Sequence, residues 1–143
     1  MYLYNYPRAA LTVDAIIVAG KKESNQILLI KRGKDPYKDL WALPGGFINL
    51  DETLEESCRR ELSEETGFEI ESLFQFKAFD AISRDPRHRT ISVVFYSFID
   101  QIKDVTGMDD AAEAKWFQLN DLPTLAFDHS EIIEEFIVNK KLI

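Results

Sequence analysis

Gly46-Phe-Ile-Asn-Leu-Asp-Glu52-Thr-Leu-Glu-Glu-Ser-Cys-Arg-Arg60-Glu61-Leu62-Ser-Glu64-Glu65-Thr-Gly67-Phe68 is the stretch on which the reading of this chain turns. Thr53-x-x-Glu56 is a capping-box pattern, with Asp51 just ahead of it. Gly67 follows the last periodic residue, where a left-handed stop is cheap for glycine. Together they predict a helix over 53–66. Leu54, Cys58 and Leu62 recur at i, i+4, i+8 and form its buried stripe. At ~100° per residue, Glu61, Glu64 and Glu65 share an arc of about 100° that adjoins this stripe. A solvated acidic face belongs opposite the leucines. These carboxylates instead line the edge of the buried face, where a cleft would lie.

Three carboxylates on one arc repel one another. They also sit near the helix C-terminus, where the macrodipole disfavours negative charge. A bound cation would relieve both costs, and hard oxygen donors suit Mg²⁺ or Mn²⁺. Charge patterning by itself usually just solvates a helix. For the cluster alone that reading is favoured, and only the resemblance of the whole stretch, glycines included, reverses it.

The whole stretch resembles the Nudix box, G-x5-E-x7-R-E-U-x-E-E-x-G-U, where U is a bulky apolar residue. Every specified position is filled, with Leu62 and Phe68 in the apolar slots. Trp41-Ala-Leu-Pro-Gly-Gly-Phe47 is similar to the usual approach to such a box. Arg84-Asp-Pro-Arg-His-Arg-Thr-Ile-Ser92, Asp109-Asp-Ala-Ala-Glu-Ala-Lys-Trp-Phe117 and Leu125-Ala-Phe-Asp-His129 resemble one branch in particular. That branch holds ADP-ribose pyrophosphatases and regulators of NAD metabolism that fuse the domain to a winged helix. The motifs run from Pro7 to about Ile133.

The resemblance implies an α/β fold with a mixed β-sheet sandwiched between helices. It implies metal-dependent hydrolysis of a nucleoside diphosphate linked to another moiety. Glu61, Glu64 and Glu65 would ligate the metal, with the Gly46 carbonyl beside them. Glu64 and Glu65 would be catalytic. Glu52 and Arg60 would form the pair that orients the helix. Relatives often recruit a base from outside the box, and Glu113, ahead of Trp116, is the candidate here. The chain ends at Ile143, which leaves no room for a winged helix. That, with the intact box, favours an enzyme.

Composition bounds the rest. At 143 residues, with 45% hydrophobic and 29% charged residues, one globular domain over 1–143 is expected. The net charge of −8 argues against non-specific nucleic-acid binding but not against nucleotides, whose charge a metal can offset. Cys58 is the sole cysteine, so no intrachain disulfide forms, and its place on the apolar stripe makes it a packing residue. No signal peptide and no apolar run of membrane-spanning length are present, so a cytoplasmic location is expected.

Leu11–Ala19 reads as a central strand interrupted by Asp14, and Gln26–Lys31 as its return strand after a polar hairpin turn over Gly20–Asn25. Trp41–Gly46 reads as a short strand running into a glycine turn. Leu73–Ala81 and Thr90–Asp100 read as strands, Lys115–Leu119 as a short one. His129–Lys140 carries Ile132, Ile133, Phe136 and Ile137 at helical spacing, an amphipathic closing helix. Arg32, Arg84, Arg87 and Arg89 are candidates for phosphate contact, since the guanidinium fork binds phosphate bidentately. His129 is expected to cap or pack near the last helix. Trp41, Phe47 and Phe127 are expected in the core.

ADP-ribose, yielding AMP and ribose 5-phosphate, is the leading expected substrate. The alternatives are a nucleoside triphosphate pyrophosphatase and a non-catalytic module that binds ADP-ribose or NAD metabolites. The expected partners are a small-molecule nucleotide and, by resemblance, a second copy in a homodimer.

Overall fold

The computed structural model describes residues 1–20 and 24–142. Residues 21–23 of the expected hairpin turn lie outside the described residues. Among those described, seven strands and two α-helices form a mixed α/β fold: β1 (Ala10–Ala19), β2 (Gln26–Arg32), β3 (Trp41–Ala42), β4 (Gly45–Phe47), α1 (Leu54–Thr66), β5 (Phe74–Phe79), β6 (Thr90–Ile99), β7 (Ala111–Gln118) and α2 (His129–Lys140).

β1 and β6 run parallel along their whole length, Ala10 opposite Thr90 through Ala19 opposite Ile99. β5 closes that edge antiparallel to β6, and β7 lies antiparallel along β2. β1 and β2 meet only at Val18–Ile27 and Ala19–Gln26 and then diverge. β4 pairs with the freed edge of β1 over Thr12–Asp14, and β3 pairs with the freed edge of β2 over Ile30 and Lys31. The sheet is therefore forked, and Leu43 and Pro44 bridge its two prongs.

The two faces of β1 carry different cores. Val13, Ala15 and Ile17 pack with Cys58, Leu62 and Phe68 beneath α1. Ile16 and Val18 pack with Ile132, Ile133 and Phe136 of α2. This alternation is the period of two expected of a central strand buried on both faces.

The α1 helix begins as expected. Thr53 Oγ1 accepts from the Glu56 N–H and Glu56 Oε1 accepts from the Thr53 N–H. It ends at Gly67, whose φ of 73° is left-handed. Two readings are corrected. Gly45 and Gly46 form strand β4, not a turn. A Cβ on Gly45 would lie 2.1 Å from the Val13 carbonyl oxygen, so glycine serves close approach to β1. β7 begins at Ala111, four residues before the expected start, because β2 offers Ile30, Lys31 and Arg32 as partners for its first half.

Candidate functional site

A cleft of about 400 Å³ opens in the fork between β1 and β2. Asp14 of β1, Arg32 of β2, the glycines of β4, Glu61 and Glu65 of α1, and the loop carrying Arg84 to Arg87 all reach it. Asp14 and Arg87, 73 positions apart in sequence, thus share one cleft because the sheet splits there.

Box carboxylates form one side. Glu65 is buried, and its Oε1 accepts from the Gly45 N–H at 2.8 Å. Burial holds its carboxyl well above the usual carboxylate range, against the opposing Gly45 hydrogen bond. Burial also raises Glu61, against its bonds from Arg60. The Glu61 carboxyl lies directly over Gly46: a Cβ there would meet it at 2.7 Å. Glu64 is exposed.

Arg60 organises this group. Its Nε lies 2.9 Å from both Glu52 oxygens, its Nη1 reaches Glu61 at 2.8 Å and Glu64 at 3.3 Å, and its Nη2 donates to the Phe47 carbonyl. Ser57 Oγ donates to Glu52 as well. Among the described residues, no three His, Cys, Asp or Glu side chains stand as a ready metal cluster. Glu61 and Glu64 share Arg60, while Glu65 turns to the Gly45 amide. The donor set nevertheless fits a hard divalent cation: three carboxylates on one arc, with a backbone carbonyl at Gly46 whose missing side chain lets Glu61 lie against it.

Arginines form the other side. Arg84 is fully engaged with Asp128 through bonds of 2.9 and 2.7 Å. Burial opposes its charge, but the Asp128 pair outweighs this and raises its pKa. Arg87 is gripped by Asp85 and sits 5.2 Å over the Phe47 ring and 5.7 Å over the Phe127 ring. Arg32 lies 4.9 Å over the same Phe127 ring and donates from Nε to the Pro36 carbonyl. Burial, then repulsion from Arg87, lowers its pKa.

Several expectations are corrected. Arg89 is not in the cleft: its Nη1 donates to the Asp80 and Ala81 carbonyls and holds the β5–β6 loop. Glu113 is not there either. It lies opposite Lys31 on β7, 3.7 Å from the Lys31 amine, while its neighbour in the pairing order, Arg32, faces the cleft. Side chains alternate along a strand, so Lys31 and Glu113 share the other face. Phe47 lines the cleft rather than the core, Phe127 lines it while packing against the cluster of Ile30, Ala42, Ala111 and Ala126 as expected, and Trp41 packs edge-on against Phe117.

Asp14, Asp85 and His129 are cleft residues that the sequence reading did not assign to the site. Asp14 left one trace, a charge in the middle of an apolar central strand. Such a group is costly to bury without a purpose.

Comparison with known proteins places these features. A family model described as NUDIX domain matches residues 8–136. An ADP-ribose pyrophosphatase of Methanocaldococcus jannaschii is 45% identical over 138 residues, covering 94% of this chain and 76% of that protein. The NUDIX domain of Shewanella oneidensis NrtR, solved with ADP ribose, is 30% identical with a TM-score of 0.86, covering 96% of this chain and 91% of that one. A bifunctional NMN adenylyltransferase/ADP ribose pyrophosphatase of Francisella tularensis, solved with AMP and a manganese ion, is 32% identical with a TM-score of 0.81. The match covers 96% of this chain but 43% of that one.

Proposed function

Since the chain belongs to the NUDIX domain family, we propose that its forked cleft hydrolyses the diphosphate of a nucleoside diphosphate linked to a second moiety, ADP-ribose foremost. One observation carries the reading. The cleft sets the box carboxylates Glu61 and Glu65 across from three arginines, Arg32, Arg84 and Arg87. A diphosphate needs cationic contacts at its oxygens and a metal-ligating surface at the bond to be broken, and these stand within one cavity.

Glu61, Glu64, Glu65 and the Gly46 carbonyl would hold the divalent cation, Mg²⁺ or Mn²⁺. Bound there, the metal would polarise the phosphoryl oxygens, acidify a water and neutralise developing charge. The chain's own residues do the rest. Arg32 and Arg87 both lie over the Phe127 ring and repel one another; a phosphate beside them offsets that repulsion and accepts from the terminal nitrogens of Arg32, whereas Arg87 already holds Asp85 through Nε and Nη2. Arg84 is committed to Asp128, so it contributes field rather than a free fork. The Phe47 and Phe127 rings hold the Arg32 and Arg87 guanidiniums at the cleft wall. Arg60 ties Glu61, which borders the cleft, and the exposed Glu64 to Glu52. Glu64 and Glu65 are the proposed proton acceptors, standing on the carboxylate side where the attacking water would sit.

The deciding experiment incubates the native chain and a Glu64→Gln/Glu65→Gln variant with ADP-ribose and excess Mg²⁺ and separates the products. AMP from the native chain alone is expected. Pyrophosphate from nucleoside triphosphates, with no AMP from ADP-ribose, would transfer the chain to the triphosphatase reading. Tight ADP-ribose binding with no cleavage would favour the binding module, a reading supported by the likeness to the NrtR domain solved with ADP ribose.

A further inference from the structure

His129 opens α2 and is buried, yet its ring borders the cleft. Its Nδ1 accepts from the Leu43 N–H at 3.0 Å, on the bridge between the two prongs of the fork. A ring nitrogen that accepts carries no proton, so the neutral ring bears its hydrogen on Nε2. Burial depresses the His129 pKa and keeps the ring neutral, against the opposing charges of Asp14 and Asp128. Nε2–H is therefore a donor of fixed direction. It faces Asp14 Oδ1 at 3.8 Å.

Asp14 is buried too, and its other oxygen already accepts from Ser92 Oγ. A separation of 3.8 Å is too long for a direct N–H···O bond. The pair thus presents one donor and one acceptor, side by side, on the cleft wall. An oxygen about 2.8 Å from each would close the triangle, provided it both accepts and donates. A phosphate oxygen only accepts and is repelled by Asp14. An ammonium only donates and finds no use for Nε2–H. A hydroxyl does both, and so does water; only a substrate hydroxyl makes the rate depend on deoxygenation, which the test below reads.

The position narrows the source. Asp14 lies against Gly45 of β4, where an added Cβ would meet its Oδ1 at 2.5 Å, and it lines the cleft together with His129, Arg32, Arg84 and Glu65. A hydroxyl there belongs to a group bonded close to the diphosphate. We propose that Asp14 and His129 form a hydroxyl-recognition site that makes the enzyme select diphosphates carrying a sugar with a free hydroxyl. This rests on the hydrolytic reading above and adds the substrate feature that reading leaves open.

The test compares kcat/KM for ADP-ribose with analogues deoxygenated in the adenosine ribose or in the terminal ribose. A site built to bond a hydroxyl rejects its deoxy analogue strongly, so at least one analogue should lose about 100-fold or more. The same ratio is then measured in Asp14→Asn and in His129→Asn, whose amide oxygen still accepts from the Leu43 N–H while the Nε2 donor is gone. Both ratios should fall toward one, a change that misfolding, which lowers all rates together, would not produce. Equal rates for all three substrates in the native chain would overturn the proposal. So would a native preference that both variants retain. Should the native chain cleave none of them, the hydrolytic reading fails alone. Calorimetric titration of the same ligands then decides the hydroxyl site by the same ratio.

Discussion

Glu65 stands where stability and chemistry pull apart. Its carboxyl is buried and its pKa raised, so the folded chain binds that proton more tightly than the unfolded chain does. The stability it contributes is full below the ordinary carboxylate range and is lost as pH rises through the elevated folded value. A Glu65→Gln variant, whose amide oxygen can still accept from the Gly45 N–H, escapes that loss. Without metal it should melt above the native chain at pH 8, with the advantage shrinking toward pH 4; a constant or reversed difference would refute this. The same variant should lose about 100-fold or more in Mg²⁺-dependent turnover. Arg84 and Arg89 make a second contrast. Arg84→Ala strands Asp128 beside α2 and should cost about 3–5 kcal/mol in urea unfolding. Arg89 holds only exposed loop carbonyls, and its alanine variant should stay within about 1 kcal/mol of native. Sequence alone made the four arginines equivalent, because what separates them is which carbonyl or carboxylate the fold brings within reach.

At the level of elements, α1 was readable to within one residue and β4 was not. The cap of α1 is local: Thr53, Glu56 and Gly67 act within a few residues of where they stand in the chain. Thr53→Ala should therefore cost about 1 kcal/mol of stability, measured by chemical denaturation, with little change in fold. The glycines of β4 carry the same turn signature as any paired glycines, and only the approach of β1, some thirty residues earlier, makes them strand. A Gly45→Ala variant tests that account. Its Cβ would fall on the Val13 carbonyl and the Asp14 carboxylate, so about 1–3 kcal/mol of overpacking strain is expected, with β4 pushed off β1. Retained stability in denaturation would show that glycine is not required there. The start of β7 was hidden for a similar reason: Ala111-Ala-Glu-Ala has weak strand preference, and β2 supplies the pairing that decides it.

For the molecule as a whole, the box announced the carboxylate side of the cleft and the arginine segments offered candidates for the other, while the remaining residues emerged from the way the sheet divides. Asp14, Asp85, and the neighbouring Phe127 and His129 come from three separate segments and meet because β1 and β2 part after two residue pairs. Strand alternation, invisible without the register, pairs Glu113 with Lys31 and sets it outside the residues that line the cleft. The spacing that joins the prongs has a mechanical meaning. Leu43 and Pro44 are the whole length of chain between β3 and β4, and Leu43 is itself tied to His129. The gap between the prongs is thus a gauge of backbone, set by covalent length and hydrogen-bonded on either side. Side-chain substitutions can repaint its walls. Changing its calibre would take an inserted residue, which makes this two-residue link the place where a wider or narrower substrate would have to be accommodated.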